Sequence, residues 1–129
     1  MKRNLVAVGV VSTLMFLTAA LAHAAPHAGP RAGFYVCTAQ TVPGSPGTFY
    51  VTGAFSANVD SQTLHNAWAN YVSETYHIPK DHAISESLCM IFPDKEDAER
   101  GRSNFIARHP AGDGSKGTVS VDWAYSAGR

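Results

Sequence analysis

Clustered positive charge is missing from this 129-residue chain. Lysine and arginine number 10, as do aspartate and glutamate. A nucleic-acid partner would want a basic face, and an anionic lipid surface a polybasic patch; neither is present. Cysteine is scarce, with only Cys37 and Cys89, at a separation that matches no short metal-ligand or redox pattern. No Gly-x-Ser-x-Gly turn exists to present a nucleophilic serine. The residues imply no cofactor, no metal site and no catalytic residue.

What is present at the amino end sets the compartment. Lys2 and Arg3 form a short positive region, residues 5–21 are apolar or small without charge, and Ala22-His23-Ala24 supplies small residues at −3 and −1. That is the layout of a cleavable secretory signal. The apolar run lies at the lower limit for spanning a bilayer, about 17 residues. The expectation is a signal peptide over residues 1–24, cleavage after Ala24, and a periplasmic or secreted protein with no stable membrane anchor. No cysteine adjoins the cleavage site to carry lipid. Cleavage would leave 105 of the 129 residues, with 8 basic and 10 acidic side chains. Residues 25–32, rich in Pro, Gly and Ala, read as a flexible leader, and residues 33–129 as one domain. In an oxidising compartment an even cysteine pair reads as a disulfide. A Cys37–Cys89 bridge closes a loop worth roughly 4 kcal/mol in the chain-entropy model.

Along the chain the pattern reads β-β-α-β-α-β. Residues 34–39 and 48–55 are β-branched and aromatic, separated by the turn-rich segment 42–47. Asp60 reads as an N-cap, and Leu64, Ala67, Trp68, Tyr71 and Val72 recur at helical spacing to make one apolar stripe. Pro79 should end that helix near Tyr76. Residues 88–92 are almost continuously apolar, which suits a central strand covered on both faces. Asp94, Glu96, Asp97 and Glu99 belong to the first turns of a second helix, where acids meet the positive end of its dipole. Glu96 and Arg100 can pair four apart. Gly101 marks a close approach, and Ala98, Phe105 and Ile106 form a thinner stripe. Residues 118–125 alternate as a half-buried strand.

These elements assemble into an α+β two-layer sandwich, a sheet of about four strands with both helices on one face. Leu64, Trp68, Tyr71, Val72, Phe105 and Ile106 are then expected over Val51, Phe55, Met90, Val121 and Trp123. The opposite face would stay open and carry Tyr35, Tyr50, Thr52 and Asp122 around the disulfide. Those four are the expected ligand-binding residues, since an open aromatic face calls for something to cover it, and tyrosine offers both apolar area and a hydroxyl.

The stretch Phe49-Tyr50-Val51-Thr52-Gly53-Ala54-Phe55-Ser56 resembles the first strand of a sporulation-related repeat (SPOR) domain, an aromatic-rich strand ending in Gly-x-Phe-Ser. The run Cys89-Met90-Ile91-Phe92-Pro93-Asp94-Lys95-Glu96-Asp97-Ala98 is similar to that fold's second half, where a strand ending in Phe leads through an acidic stretch into a helix. The resemblance covers about half of the mature chain. It implies a ferredoxin-like sheet that binds cell-wall glycan without doing chemistry. No ligand contact of that family carries over to a residue here.

Other candidate chemistry is thin. His77 and His82 bracket a loop with Asp81 beside them, short of the three or four convergent ligands that a metal needs. Ala25-Pro26-His27 places a histidine third, but Pro26 lacks the amide proton that an amino-terminal copper motif gives up. The leading expectation is a non-catalytic binding module for a protein, peptide or glycan partner. An inhibitor or immunity-type protein acting through the 42–47 loop is the first alternative. A small hydrolase or metal-dependent enzyme, with a deep pocket of histidines and acids, is the second. Expressed in a Gram-negative bacterium, the protein should be recovered from the periplasm with Ala25 as its first residue. Intact mass spectrometry tests this, and a periplasmic species retaining Met1 would refute it.

Overall fold

The computed structural model describes residues 29–41, 47–112 and 114–127. The expected signal peptide (1–24), the first half of the leader (25–28) and residues 42–46 of the turn-rich loop lie outside the described residues. The strands are β1 (Arg31–Gln40), β2 (Thr48–Thr52), β3 (Phe55–Val59), β4 (Ser87–Phe92) and β5 (Gly117–Val121). The helices are α1 (Ser61–Tyr76), α2 (Lys80–Ser85) and α3 (Lys95–Arg108). The chain is an α+β domain tied by a Cys37–Cys89 disulfide. β1 starts within the expected leader: Arg31 and Ala32 already pair with Val59 and Asn58.

β1 is the shared strand. It pairs antiparallel with β4 along one edge, and with β2 and β3 along the other. β5 adds parallel to β2. The register runs Thr38↔Val51 in β2 but Tyr35↔Phe55 in β3. Two residues of β1 thus face three of its partner, so β2 and β3 act as one strand carrying a bulge at residues 52–54. Gly53, exposed and with open space where a Cβ would stand, suits that position. The bulge takes the regular ladder away from the Cys37 amide, which donates instead to the buried Thr52 Oγ1 at 3.0 Å. The Thr52 carbonyl accepts from Arg102 Nε at 3.0 Å, and Arg102 Nη2 donates to Ser120 Oγ at 2.6 Å. One arginine of α3 therefore ties the bulge to β5.

The helices are capped as the sequence implies. Asp60 and Asp94 each accept the backbone amide three residues on, at 2.8 Å. His77 ends α1 in the left-handed region (φ 56°), its amide bonded to the Ser73 carbonyl. Arg100 pairs with Asp97 at 2.7 Å and lies 3.9 Å from Glu96. Gly101 packs against the Phe92 ring, where a Cβ would collide. The helix α2 was not visible in the sequence pattern, which shows a loop around His77 and His82.

The two main helices lie on opposite faces of the sheet, not on one. Tyr35, Cys37 and Ala39 of β1 pack with Leu64, Trp68 and Val72 of α1. Val36 packs with Val51, Ala98, Phe105 and Ile106 on the α3 side. The layout is helix, sheet, helix, and the reason is directional. The β3-to-β4 crossover passes β1 in one direction, and the β4-to-β5 crossover returns past β1 and β2 in the other. Two crossovers of one hand running in opposite directions must cover opposite faces. The expected packing splits accordingly: Phe55, Val121 and Trp123 join α1, while Val51 and Met90 join α3. The bulge contributes to the split, because one extra residue puts Phe55 on the face opposite Val51.

β4 is an edge strand, with Leu88 56% and Ile91 38% exposed, so the apolar run did not mark the sheet centre. That place belongs to β1. At Thr52, replacement by Val would leave the buried Cys37 amide without an acceptor, costing about 1–3 kcal/mol. Thr52→Ser keeps the acceptor and should cost less. Equal losses in chemical denaturation would show that the hydroxyl does not hold the bulge.

Candidate functional site

The face expected to be open is covered by α1. Tyr35 is 3% exposed and Thr52 is fully buried, so a partner reaches neither. The Tyr35 hydroxyl is turned inward and donates to the Arg31 carbonyl at 2.7 Å. The disulfide lies in the same covered layer, with Cys37 buried. Tyr50 stacks on Tyr76 of α1, ring centroids 3.9 Å apart. Only Asp122 of the four is exposed, and it belongs to a different site.

That site is a groove of about 450 Å³ between α1 and the segment that follows β5. It is built from two short runs. On α1, Asn70, Tyr71 and Glu74 lie within one turn, so their side chains share a side of the helix. Beyond β5, Val121 is still buried in the sheet and Asp122 turns to solvent. Trp123 and Tyr125 continue the alternation out of the sheet and pack back toward α1. Trp123 is held from three sides, with ring centroids 5.1 Å from Trp68, 5.6 Å from Phe55 and 5.9 Å from Tyr71. Its ring is thereby fixed while part of it remains half-exposed on the groove wall.

The apolar stripe of α1 included Tyr71 but not Asn70 or Glu74. In the structure Asn70 and Tyr71 are half-buried and Glu74 is exposed, and all three line the groove. Trp123 and Tyr125 were expected as strand residues under the helices. The only sequence signal for the groove is that the aromatic alternation runs past the point where Gly117–Val121 can pair.

A second hollow of about 270 Å³ lies between the first turns of α1 and β4, lined in part by His65 and Ser87. His65 Nε2 donates to the Ser87 carbonyl at 3.1 Å, while the buried Ser87 Oγ has no hydrogen-bond partner. The imidazole thus engages the backbone rather than the hydroxyl, which leaves the serine without a base. Among the described residues no three His, Cys, Asp or Glu side chains converge as a metal site. His77 caps α1 and His82 lies in α2, both exposed.

Comparison with known proteins finds no matching family model, no matching curated protein and no matching solved structure. The two SPOR-like stretches fall on β2 through the start of β3, and on β4 into α3.

The tyrosines around α1 offer a check on this packing. Burial raises the Tyr50 phenol, and it raises Tyr76 with further help from the neighbouring Tyr71 and Tyr50. Burial also raises Tyr35, partly offset by Arg31. The unfolded chain then ionises first, so their contribution to stability is full below about pH 10 and lost as pH rises through the raised folded values. Phenolate absorbance during alkaline titration should show a late-ionising class among the five tyrosines. If all five ionise together near the ordinary value, the packing described is wrong.

Proposed function

We propose that this chain is an exported, non-catalytic binding module that takes a saccharide, cell-wall glycan foremost, in the groove between α1 and the segment after β5. The observation that carries the reading is the lining itself. Three half-buried rings, Tyr71, Trp123 and Tyr125, share one open groove with Asn70, Glu74 and Asp122. A pyranose ring has an apolar face of C–H groups and a rim of hydroxyls. Ring walls cover the first, while an amide and carboxylates accept from the second. The groove is already formed, and the contacts that fix Trp123 limit the ordering cost of binding.

Two further points support the reading. A buried disulfide fits an oxidising compartment, in keeping with the export signal. The SPOR-like stretches point to the same polymer. A catalytic role would need a nucleophile and base in contact, or a converging ligand set, and the geometry around His65, His77 and His82 supplies neither role.

The test is co-sedimentation of the mature protein with purified cell-wall sacculi, with tryptophan fluorescence reporting Trp123. Wild type should be retained and its emission should shift. Tyr125→Ala, at the groove rim, should reduce retention by roughly tenfold, the scale of an aromatic contact at a binding site, with little change in thermal midpoint. Retention that is unaffected by Tyr125→Ala would place the ligand elsewhere. No retention, with one periplasmic protein co-purifying instead, would favour an inhibitor or immunity-type role.

A further inference from the structure

We propose that the groove selects saccharides that carry an unsubstituted primary amine, as a glucosamine polymer does where its N-acetyl groups have been removed. The inference rests on the saccharide reading above and concerns the charge of the ligand.

The acids of this chain divide by what they do. Asp60 and Asp94 cap helices, Glu96 and Asp97 lie against Arg100, and Asp81, Glu86 and Glu99 lie outside the groove. Glu74 and Asp122 do none of this. Among the described residues neither forms an ion pair or a hydrogen bond with another side chain, yet both line the groove, one from α1 and one from beyond β5. Among the described residues no lysine, arginine or histidine lines it with them. Two carboxylates brought to one cleft without a cation raise the local negative potential, and a cleft focuses such a field.

The rings add to the same preference. Tyr71, Trp123 and Tyr125 line the groove, and the negative quadrupole of an aromatic face attracts an ammonium group. A protonated amine on a sugar ring would meet both attractions at once, while the ring's C–H face covers the aromatic wall. An N-acetylated sugar keeps the ring contact and loses the charge. The groove is also larger than one ammonium-bearing side chain requires. Its volume of about 450 Å³ falls in the size range of small-molecule clefts. That favours an amino sugar over a lysine side chain as the source of the cation.

The experiment is a fluorescence or calorimetric titration of the full mature chain near pH 5.5, where the ligand amine is protonated. The probes are a glucosamine tetramer, an N-acetylglucosamine tetramer and a lysine-containing peptide. The glucosamine tetramer should bind roughly tenfold or more tighter than its acetylated counterpart, and added salt should narrow that gap. Glu74→Gln and Asp122→Asn should each remove most of the difference between the two tetramers and keep the thermal midpoint. Equal affinity for the two tetramers would overturn the amine preference while the saccharide reading stands. Binding of the peptide but of neither tetramer would overturn both, and so would binding of none of the three.

Discussion

Pairing along β1 organises the molecule. A single ten-residue strand supports β4 on one edge and the bulged β2–β3 strand on the other, while its side chains alternate between two helices. Cys37 lies at the middle of this arrangement. Its amide is held by Thr52, its sulfur by Cys89, and its side chain sits in the layer under α1. Trp68 fastens α1 to the same strand, its indole donating to the Thr38 carbonyl at 2.9 Å. The disulfide spans 52 positions of sequence, a loop whose closure constrains the unfolded chain by roughly 4 kcal/mol. For a domain with a modest core that is a large share of a typical net stability of 5–15 kcal/mol.

The position of the groove follows from that strand through a chain of registers. The bulge fixes where β2 ends. β5 pairs parallel to β2, so Val121 stands beside Thr52, and Arg102 ties both strands to α3. The chain leaves the sheet at the next residue. Trp123 then falls beside Trp68 and Phe55, and Asp122 and Tyr125 come to flank it. A shift of one residue in any of these pairings would send Trp123 to the other face. The aromatic wall of the groove is thus continuous with the core and shares its rigidity.

The two helical layers are unequal. The α1 side buries Leu64, Trp68, Ala69, Val72 and Ile78, whereas Ala98 is the fully buried residue of α3. Polar bonds help to hold α3, with Arg102 reaching the bulge and Thr118 Oγ1 of β5 donating to the His109 carbonyl at 3.2 Å. The groove lies on the better-packed side. Its rings, Tyr71, Trp123 and Tyr125, are backed there by the larger core.

Local chemistry was legible in the sequence because it acts over a few residues. The limits of α1 and α3, the caps Asp60 and Asp94, the close approach at Gly101 and the Cys37–Cys89 bridge all rest on spacing, capping or cysteine count. What the sequence could not decide was direction and adjacency. A strand's alternation shows that it has two faces, but not which helix covers each. One bulge residue at Gly53 moved Phe55 to the other side, and opposed crossovers placed α1 over the face that Tyr35 and Thr52 were expected to expose. The groove needed still more, because Asn70 and Glu74 lie about fifty residues from Asp122 and Tyr125 along the chain. Nothing local links them. They meet because β1, β2 and β5 set the register that returns the chain to α1, and only the folded sheet contains that information.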